Sequence, residues 1–470
     1  MNAAARAPWP VFAAVALGTF MATLDSSIVN VALPTLARTF GATVTQVEWV
    51  SLAYVLTITG LLLPFGRLGD AIGRRRVFLI GLGLFTLGSL ACAFAVSAAT
   101  LVAARVLQGI GASMVSANTV AIITAAFPAS MRGRALGMVG AVVGMGLTVG
   151  PPLGGFLLAA FGWPSIFLVN VPIGAIGLFF ASRTVPHDEP VRSRVSFDAP
   201  GALLSLAFLV GLTLFLSRGE TWGFRSAPAI ACGTVAVLAL VAFVIVERRT
   251  ADPLIDLRFF GDGAFSVPMF ALFASFVALF AAVFLVPFYL EKTAGLTPDQ
   301  VGRVLVVIPL LLLTVSPVSG LLSDRLGVRA LSTVGLAVTT AGLGLLAWMI
   351  GRAGDRPLSV LAIIGGLFVV GLGQGLFQPP NSSAAMSAVP PVRFGLAGGL
   401  LATMRNLGTL FGIGLAAAVF EGRERIYAAA HSATFASSLG MRDAFLAAAL
   451  VAGLATLLVA SRRTASPPRA

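Results

Sequence analysis

The feature that most constrains this chain is a nearly unbroken succession of apolar runs, each about 20 residues long and separated by short polar loops. A helix rises about 1.5 Å per residue, so one such run crosses the roughly 30 Å hydrocarbon core of a bilayer. With 58% hydrophobic and only 10% charged residues, the 470-residue chain carries more apolar surface than a soluble fold buries. The sequence therefore predicts an all-α polytopic membrane protein.

Reading each apolar run as one helix predicts fourteen transmembrane spans. Loops at alternate positions along the chain carry most of the basic residues, and basic loops remain in the cytoplasm. The pattern predicts a multi-pass protein of the cytoplasmic (inner) membrane with both termini in the cytoplasm. The predicted spans are 11–32, 47–65, 77–96, 100–125, 135–160, 164–182, 199–217, 226–246, 264–289, 301–322, 330–350, 357–378, 395–420 and 441–461.

A charged turn that occurs twice indicates two related halves. Residues 66–76 read GRLGDAIGRRR, and residues 320–329 read GLLSDRLGVR. If both turns face the cytoplasm, each follows the second helix of a six-helix unit, and spans seven and eight are surplus. We predict an N-terminal six-helix bundle (1–182), an inserted helix pair with flanking loops (183–263) and a C-terminal six-helix bundle (264–470). Two related bundles about a central cavity are typical of alternating-access transporters.

The charged turn contains a residue that is not needed to mark the cytoplasmic face. Glycine permits a tight reversal and arginines favour the inner surface, which is all that a topogenic turn needs. Asp70 adds a carboxylate that can hold an arginine or a helix N-terminus across a bundle interface. The second copy keeps fewer arginines, so a strong second latch is not expected. The predicted intracellular gate consists of Gly66, Asp70, Gly73, Arg74, Arg75, Asp324 and Arg325.

Asp25 is the one acidic residue that lies well inside a predicted span. A carboxylate is costly there and is a functional candidate by default, because it either pairs with a cation or exchanges protons. Arg105 in the fourth span lies at a similar depth by residue count, so the two can pair. The approach of a guanidinium favours the ionised carboxylate, and its withdrawal favours the protonated one. We predict that Asp25 and Arg105 couple protonation to conformation; a purely structural hydrogen bond is the alternative for Asp25.

The fifth span is rich in glycine and contains two adjacent prolines. Proline removes helix hydrogen bonds and glycine admits a close neighbour, so this span is predicted to be a kinked hinge or seal, or else a packing seam. The hinge residues are Gly146, Gly150, Pro151, Pro152, Gly154 and Gly155. The predicted substrate-cavity residues are Asn30, Gln108, Asn118, Gln374, Arg405 and Asn406. For Arg405, capping of carbonyls that nearby glycines leave free is an open alternative.

Three motifs resemble the signatures of the major facilitator superfamily: GRLGDAIGRRR, RVLQGIGA in the fourth span and GLTVGPPLGG in the fifth. Further segments, including LDSSIVNVALP around Asp25, resemble the fourteen-span drug:proton antiporter branch. The resemblance implies proton-driven export of amphipathic compounds, with Asp25 and Arg105 in coupling and the fifth span as antiporter hinge. Members that handle dications are expected to have acidic residues in later spans. This sequence has none there, so we predict neutral or singly charged apolar substrates.

Other functions have less support. An enzyme is disfavoured because His187 and His431 lie in predicted loops and no metal or acid–base cluster is apparent. A sensor or scaffold without transport does not need a buried Asp25 and Arg105. Nutrient uptake by proton symport is opposed chiefly by the GPPLGG helix. Export of an endogenous metabolite is as compatible with the sequence as export of drugs or antibiotics.

The expected partners are an amphipathic small molecule, protons and the lipid bilayer. The net charge of +13 comes from basic residues scattered among loops, which indicates membrane topology and no nucleic-acid binding. No cofactor or metal is expected, and the proton gradient is the expected energy source. Because one chain holds both halves, a monomer is expected.

Overall fold

The computed structural model describes residues 8–186, 199–223, 225–250, 260–354, 356–389 and 394–461. These ranges contain sixteen α-helices, and no β-strand occurs among the described residues. The helices are α1 (Pro8–Phe40), α2 (Val44–Ile72), α3 (Arg74–Ala93), α4 (Ala98–Ala126), α5 (Ala129–Phe161), α6 (Ser165–Leu168), α7 (Asn170–Thr184), α8 (Ala199–Trp222), α9 (Ala227–Arg249), α10 (Gly263–Lys292), α11 (Pro298–Leu305), α12 (Val307–Leu326), α13 (Val328–Ala353), α14 (Val360–Ser387), α15 (Phe394–Ala428) and α16 (Ala433–Ser461).

Most of these helices are long and apolar enough to cross a bilayer. Within the described ranges, thirteen candidate spans meet that condition by length and composition, and α8 contains a shorter apolar stretch, Pro200–Phe215. The predicted all-α polytopic fold is confirmed, and the predicted fourteen spans agree approximately with these thirteen and α8. Two candidate spans, Ser165–Thr184 and Pro298–Ser323, each contain two consecutive helices.

A proline accounts for the interruption in each divided span. Helix α6 ends at Leu168, four residues before Pro172, and α11 ends at Leu305, four residues before Pro309. Proline has no N–H to donate, and its ring collides with the carbonyl four residues earlier in a continuous helix. The helix therefore breaks at a single residue and then resumes as α7 or α12.

The first charged motif is largely helical. The second predicted span ends at residue 65, whereas α2 continues through Gly66 to Ile72. The reversal occurs at Gly73, whose φ of 101° is a conformation that suits glycine and not residues with a Cβ atom. Helix α3 begins immediately afterwards at Arg74. A single glycine therefore separates two long helices.

The chain forms two compact units. Unit 1 contains Met1–Asp256 and Pro287–Val306, and unit 2 contains Leu257–Val286 and Val307–Ala470. In unit 1, α1 packs on α4, α5 and α7, α4 also packs on α2 and α3, α5 packs on α11, and α8 packs on α2 and α9. In unit 2, α13 packs on α14 and α16, α12 on α14, and α15 on α16. The predicted six-helix bundles and inserted pair remain a prediction.

Candidate functional site

A buried polar cluster lies among α1, α2, α3, α4 and α7 of unit 1. Asp25 of α1 is 0% exposed and Arg105 of α4 is 1% exposed. The two side chains form an ion pair in which Arg105 Nη1 donates a hydrogen bond to Asp25 Oδ2 over 2.5 Å. The structure thus brings together the two residues that the sequence predicts as a coupling pair.

Both oxygens of the Asp25 carboxylate accept hydrogen bonds. Besides the bond from Arg105 to Oδ2, the amide nitrogens of Gln108 and Asn170 each donate to Oδ1 over 2.8 Å. Gln108 also donates to the hydroxyl of Ser89 on α3 over 2.5 Å. Hydrogen bonds to a carboxylate are charge-assisted and stronger than neutral ones. The Asp25 carboxylate is therefore held by side chains from α4 and α7 at the same time.

The Arg105 guanidinium is held from other sides as well. Its Nε donates to the backbone carbonyl of Val50 over 2.8 Å, and its Nη1 also donates to Gln108 Oε1 over 2.5 Å. The Tyr54 ring lies 4.0 Å from Arg105 Cζ, a distance at which a cation and an aromatic face attract each other. Val50 and Tyr54 both belong to α2. Helix α2 can therefore retain the guanidinium even when its bond to Asp25 is broken.

Close helix contacts in unit 1 position this cluster. A Cβ atom added at Gly88 of α3 would lie 2.6 Å from the backbone of Gln108, and one added at Gly109 would lie 3.0 Å from the Tyr54 carbonyl. At Gly111 an added Cβ would lie 2.6 Å from the Gly81 carbonyl and 2.7 Å from Phe85 Cα. Helix backbones approach this closely only at glycine, as in other membrane helix pairs. The RVLQGIGA motif therefore fixes α4 against both α2 and α3.

We expect Gly111→Ala to destabilise the protein by roughly 1–3 kcal/mol, because the new methyl group meets backbone atoms that cannot rotate away. Gly83→Ala in α3 is the matched control, since its Cβ would have no neighbour within 4 Å. The midpoints of thermal unfolding of the purified variants in detergent provide the measurement. Equal midpoints for the two variants would contradict the close contact of α3 and α4.

The glycine-rich helix α5 runs continuously through Pro151 and Pro152 and packs along the part of α1 that carries Asp25. Cβ atoms added at Gly146 and Gly150 would overlap the side chains of Thr23 and Ser27, which flank Asp25. The remaining two glycines predicted for the hinge make further close approaches: Gly154 lies against Ile28 of α1, and Gly155 lies against Pro298 of α11. Helix α5 is thus a packing seam between α1 and α11 within unit 1. Its predicted action as a hinge remains a prediction.

The charged turn between α2 and α3 contains an internal ion pair. Arg74 donates to Asp70 Oδ1 through Nε and Nη2 over 2.9 and 2.7 Å, and both side chains are partly exposed. Arg75 donates to the Ser182 carbonyl near the end of α7 over 2.5 Å. In the second charged turn Arg325 is exposed at the end of α12, and the side chain of Asp324 lies outside the described residues. A gating role for either turn remains a prediction.

The predicted cavity residues Asn30 and Asn118 form contacts between helices. Asn118 Nδ2 donates to the carbonyls of Phe65 and Met114 over 3.3 and 2.9 Å, which ties α4 to the end of α2 that precedes the charged turn. Asn30 is 3% exposed and accepts a bond from Ser51 of α2 over 3.4 Å. Both residues therefore have structural contacts that explain their polarity.

The predicted cavity residues of unit 2 differ in how well they are hydrogen-bonded. Gln374 of α14 is buried and exchanges bonds with Ser275 of α10, over 2.8 Å to its Oε1 and 3.1 Å from its Nε2. Arg405 and Asn406 lie side by side in α15 and are partly exposed. The Arg405 guanidinium lies over the Phe276 ring, with Cζ 5.7 Å from the centroid, and its buried Nε has no hydrogen-bond partner. The alternative role of capping carbonyls finds no support in these contacts.

Comparison with known proteins identifies the family. Residues 15–413 and 268–470 match the Major Facilitator Superfamily. The chain belongs to this superfamily. A riboflavin transporter, RibZ of Clostridioides difficile (strain 630), is 36% identical over 86% of this chain and 86% of its own length. The multidrug resistance protein Stp of Mycobacterium tuberculosis (strain CDC 1551 / Oshkosh) is 36% identical over 86% of this chain and 74% of its own.

Another relative of this major facilitator protein is the methylenomycin A resistance protein of Streptomyces coelicolor, which is 34% identical over 85% of this chain and 83% of its own. Resistance transporters among the relatives support the drug-efflux branch of the superfamily. A crystal structure of a POT family transporter with a thioalcohol-conjugated peptide shares the fold, with a TM-score of 0.70 and 15% identity over 96% of this chain and 95% of the other. The protein is a multi-pass membrane transporter of the superfamily and not an enzyme.

Sequence reasoning missed several polar residues of this major facilitator protein. Asn170 is an isolated amide in an apolar run just before Pro172, and in the structure it is 0% exposed and donates to Asp25. Glu48 in the first turns of α2 is also 0% exposed. At the ends of α1 and α10, Arg38 Nη2 lies 2.5 Å from the buried carboxylate of Glu291 in unit 1. A lone polar residue near the end of an apolar run was the available signal in each case.

Proposed function

We propose that the protein is a proton-driven exporter that exchanges protons for hydrophobic or amphipathic small molecules across the cytoplasmic membrane by alternating access. The observation that carries this proposal is the Asp25–Arg105 ion pair, whose members are both almost completely buried within candidate membrane spans. Ionisable residues in such positions are expensive and mark proton pathways in many transporters.

Protonation of Asp25 supplies a driving force for a conformational change. A neutral carboxyl group no longer balances the guanidinium charge, and breaking a buried ion pair costs about 3–5 kcal/mol. A difference of that size between two conformations shifts their populations by roughly two to nearly four powers of ten, which approaches what a two-state switch needs. Proton binding therefore favours a conformation in which Asp25 and Arg105 are apart.

The packing of α1 provides a route from this pair to the rest of unit 1. Thr23 and Ser27 flank Asp25 and contact the glycines of α5, and Ser27 Oγ donates to the Gly146 carbonyl over 3.2 Å. If α1 moves so that Asp25 separates from Arg105, it moves along the face of α5 that carries these glycines. Glycine lets helices slide without large side chains blocking the path, which suits the hinge role proposed for α5.

Two observations bear on the transported compound. Relatives named for multidrug resistance and for methylenomycin A resistance support export of foreign compounds. The riboflavin transporter is similar to this chain at the same sequence identity as the multidrug resistance protein. It favours a second candidate function, the transport of an endogenous metabolite. No carboxylate other than Asp25 lies in the buried cluster among the described residues, in line with neutral or singly charged substrates.

Reconstitution into liposomes tests the proposal. With an imposed pH gradient, we expect uphill movement of neutral or monovalent aromatic compounds opposite to the proton flux, and loss of this movement after nigericin collapses the gradient. The panel contains riboflavin, singly charged antibiotics and dications such as a bis-quaternary ammonium dye. Solute movement in the same direction as protons would identify a symporter, and robust transport of dications would refute the predicted substrate range.

A further inference from the structure

Arg405 is a partly exposed basic residue of unit 2 that the proposed proton coupling does not use. It lies in α15, inside the candidate span Gly399–Ala428. Its Nε atom is enclosed by protein and has no hydrogen-bond partner, and its described contact is the face of Phe276 at 5.7 Å. Arg105 of unit 1 is the opposite case, since it contacts a carboxylate, a backbone carbonyl and an amide oxygen. A cation in an apolar span is normally paired with an anion or with hydrogen-bond acceptors. Among the described residues Arg405 lacks such a partner.

Among the described residues, no carboxylate forms an ion pair with Arg405. Along α15, the nearest carboxylate is Glu421, which is 16 residues away, or about 24 Å at 1.5 Å per residue. Glu421 is moreover an ion-pair partner of Arg425 at 3.5 Å. Among the described residues the guanidinium therefore keeps an unused donor, Nε, in a partly exposed side chain.

Aromatic side chains of α10 and α15 form a group that begins at Phe276, the ring beneath Arg405. Phe276 and Phe280 of α10 are stacked, with centroids 6.0 Å apart and planes 21° from parallel. Phe273 of α10 and Phe411 of α15 meet edge to face at 5.1 Å. Phe273, Phe280 and Phe411 are partly exposed, like Arg405 itself. Flat aromatic faces next to a donor-rich cation suit a planar ring that carries an acidic group.

Small residues fix α15 against α10 so that this aromatic group is held in place. A Cβ atom added at Gly408 would lie 2.6 Å from Phe276 Cβ, and one added at Gly412 would lie 2.6 Å from the Val277 carbonyl. The two helix backbones thus approach closely on the C-terminal side of Arg405. The position of the guanidinium over Phe276 is therefore set by packing and not by a flexible loop.

We propose that Arg405 is a substrate-docking residue and that the transported compounds include planar aromatic monoanions, whose acidic group pairs with the Arg405 guanidinium while the ring packs on the partly exposed Phe280, which itself stacks on the buried Phe276. This inference rests on the proposed transport function and narrows its substrate class. A guanidinium binds a carboxylate through two parallel hydrogen bonds, which gives both affinity and orientation. A neutral analogue of the same shape keeps the ring contacts and loses the charge-assisted pair.

Binding to the full-length protein in lipid nanodiscs tests the inference without requiring transport. The probes are 2-naphthoate and its neutral analogue 2-naphthamide, titrated calorimetrically. We expect wild type to bind the naphthoate at least about ten-fold more tightly than the amide. Arg405→Gln is expected to weaken naphthoate binding by about ten-fold or more and amide binding by less than about three-fold, whereas Arg405→Lys retains part of the preference.

The matched control is Arg352→Gln in α13 of the same unit. Arg352 also lies over an aromatic ring, with Cζ 4.8 Å from the Trp348 centroid, but it is exposed near the end of its helix. The variant Arg352→Gln should therefore leave the affinities for 2-naphthoate and 2-naphthamide unchanged. If Arg405→Gln does not fold, the inference is tested by the wild-type preference for naphthoate and by the variant Phe280→Leu, which should weaken the binding of both probes alike. Equal wild-type affinities, no binding, or equal weakening of both probes by Arg405→Gln would overturn the inference.

Proton-driven transport of 2-naphthamide by wild type is measured separately. Preferential naphthoate binding without any proton-driven transport would refute the proposed exporter and leave the docking site standing. Proton-driven transport with no binding preference that depends on Arg405 would refute the docking site and leave the exporter standing.

Discussion

Replacement of Asp25 by asparagine is expected to abolish proton-driven transport while the protein remains folded. Asparagine has nearly the same shape and keeps an oxygen that can accept the bond from Arg105, but it does not gain or lose a proton. If protonation shifts the conformational equilibrium by about 3–5 kcal/mol, its loss lowers gradient-driven transport by roughly 100-fold or more. The measurement is solute flux into liposomes with and without an imposed pH gradient.

Asp299→Asn provides the matched control for this experiment. Asp299 also pairs with an arginine, Arg303, over 2.6 Å, but its side chain is 37% exposed at the start of α11. This variant should transport like wild type. Gradient-driven flux in Asp25→Asn at the level of the control would remove Asp25 from the proposed coupling, whatever the fold.

Replacement of Arg105 by methionine is expected to have the second large effect, a loss of stability of about 3–5 kcal/mol. The change leaves a fully buried carboxylate with amide donors but without its cation. The double variant Asp25→Asn/Arg105→Met removes both charges and should recover most of that stability without recovering coupling. Unfolding midpoints of the four proteins in detergent give the interaction energy of the pair.

Arg303→Met in α11 is the corresponding control, because an exposed ion pair contributes about 0–1 kcal/mol. If the two single variants and the double variant at positions 25 and 105 show additive stability losses, the pair makes no specific contribution. That result would contradict the strong coupling on which the proposed switch depends.

Sequence reasoning predicted the fold class and one central contact correctly for simple physical reasons. Apolar runs of membrane-spanning length leave few alternatives to transmembrane helices. The depth of a residue in the bilayer follows from the number of residues that separate it from the end of its helix. By this measure Asp25 and Arg105 lie at a similar depth. The motif around Gln108 and Gly109 likewise indicated a tightly packed helix, and the structure shows its close contacts with α2 and α3.

The remaining contacts depend on how each helix is rotated about its axis. In helices that are apolar on all sides, the hydrophobic pattern does not distinguish the buried face from the lipid-facing one. Sequence therefore did not indicate that Asn170 faces Asp25, or that Tyr54 and Val50 hold Arg105. Glycines in α5 indicated a close neighbour without identifying it as the stretch of α1 around Asp25.

Among the described residues the buried cluster contains a single carboxylate, and this has an electrical consequence for the proposed cycle. One proton entering for each neutral molecule leaving moves one net charge, so export would be electrogenic and would respond to voltage as well as to pH. Each charge moved gains about 2.3 kcal/mol per 100 mV. For a monoanion two charges move per turnover and the gain doubles, whereas exchange for a monocation is electroneutral and draws nothing from the membrane potential.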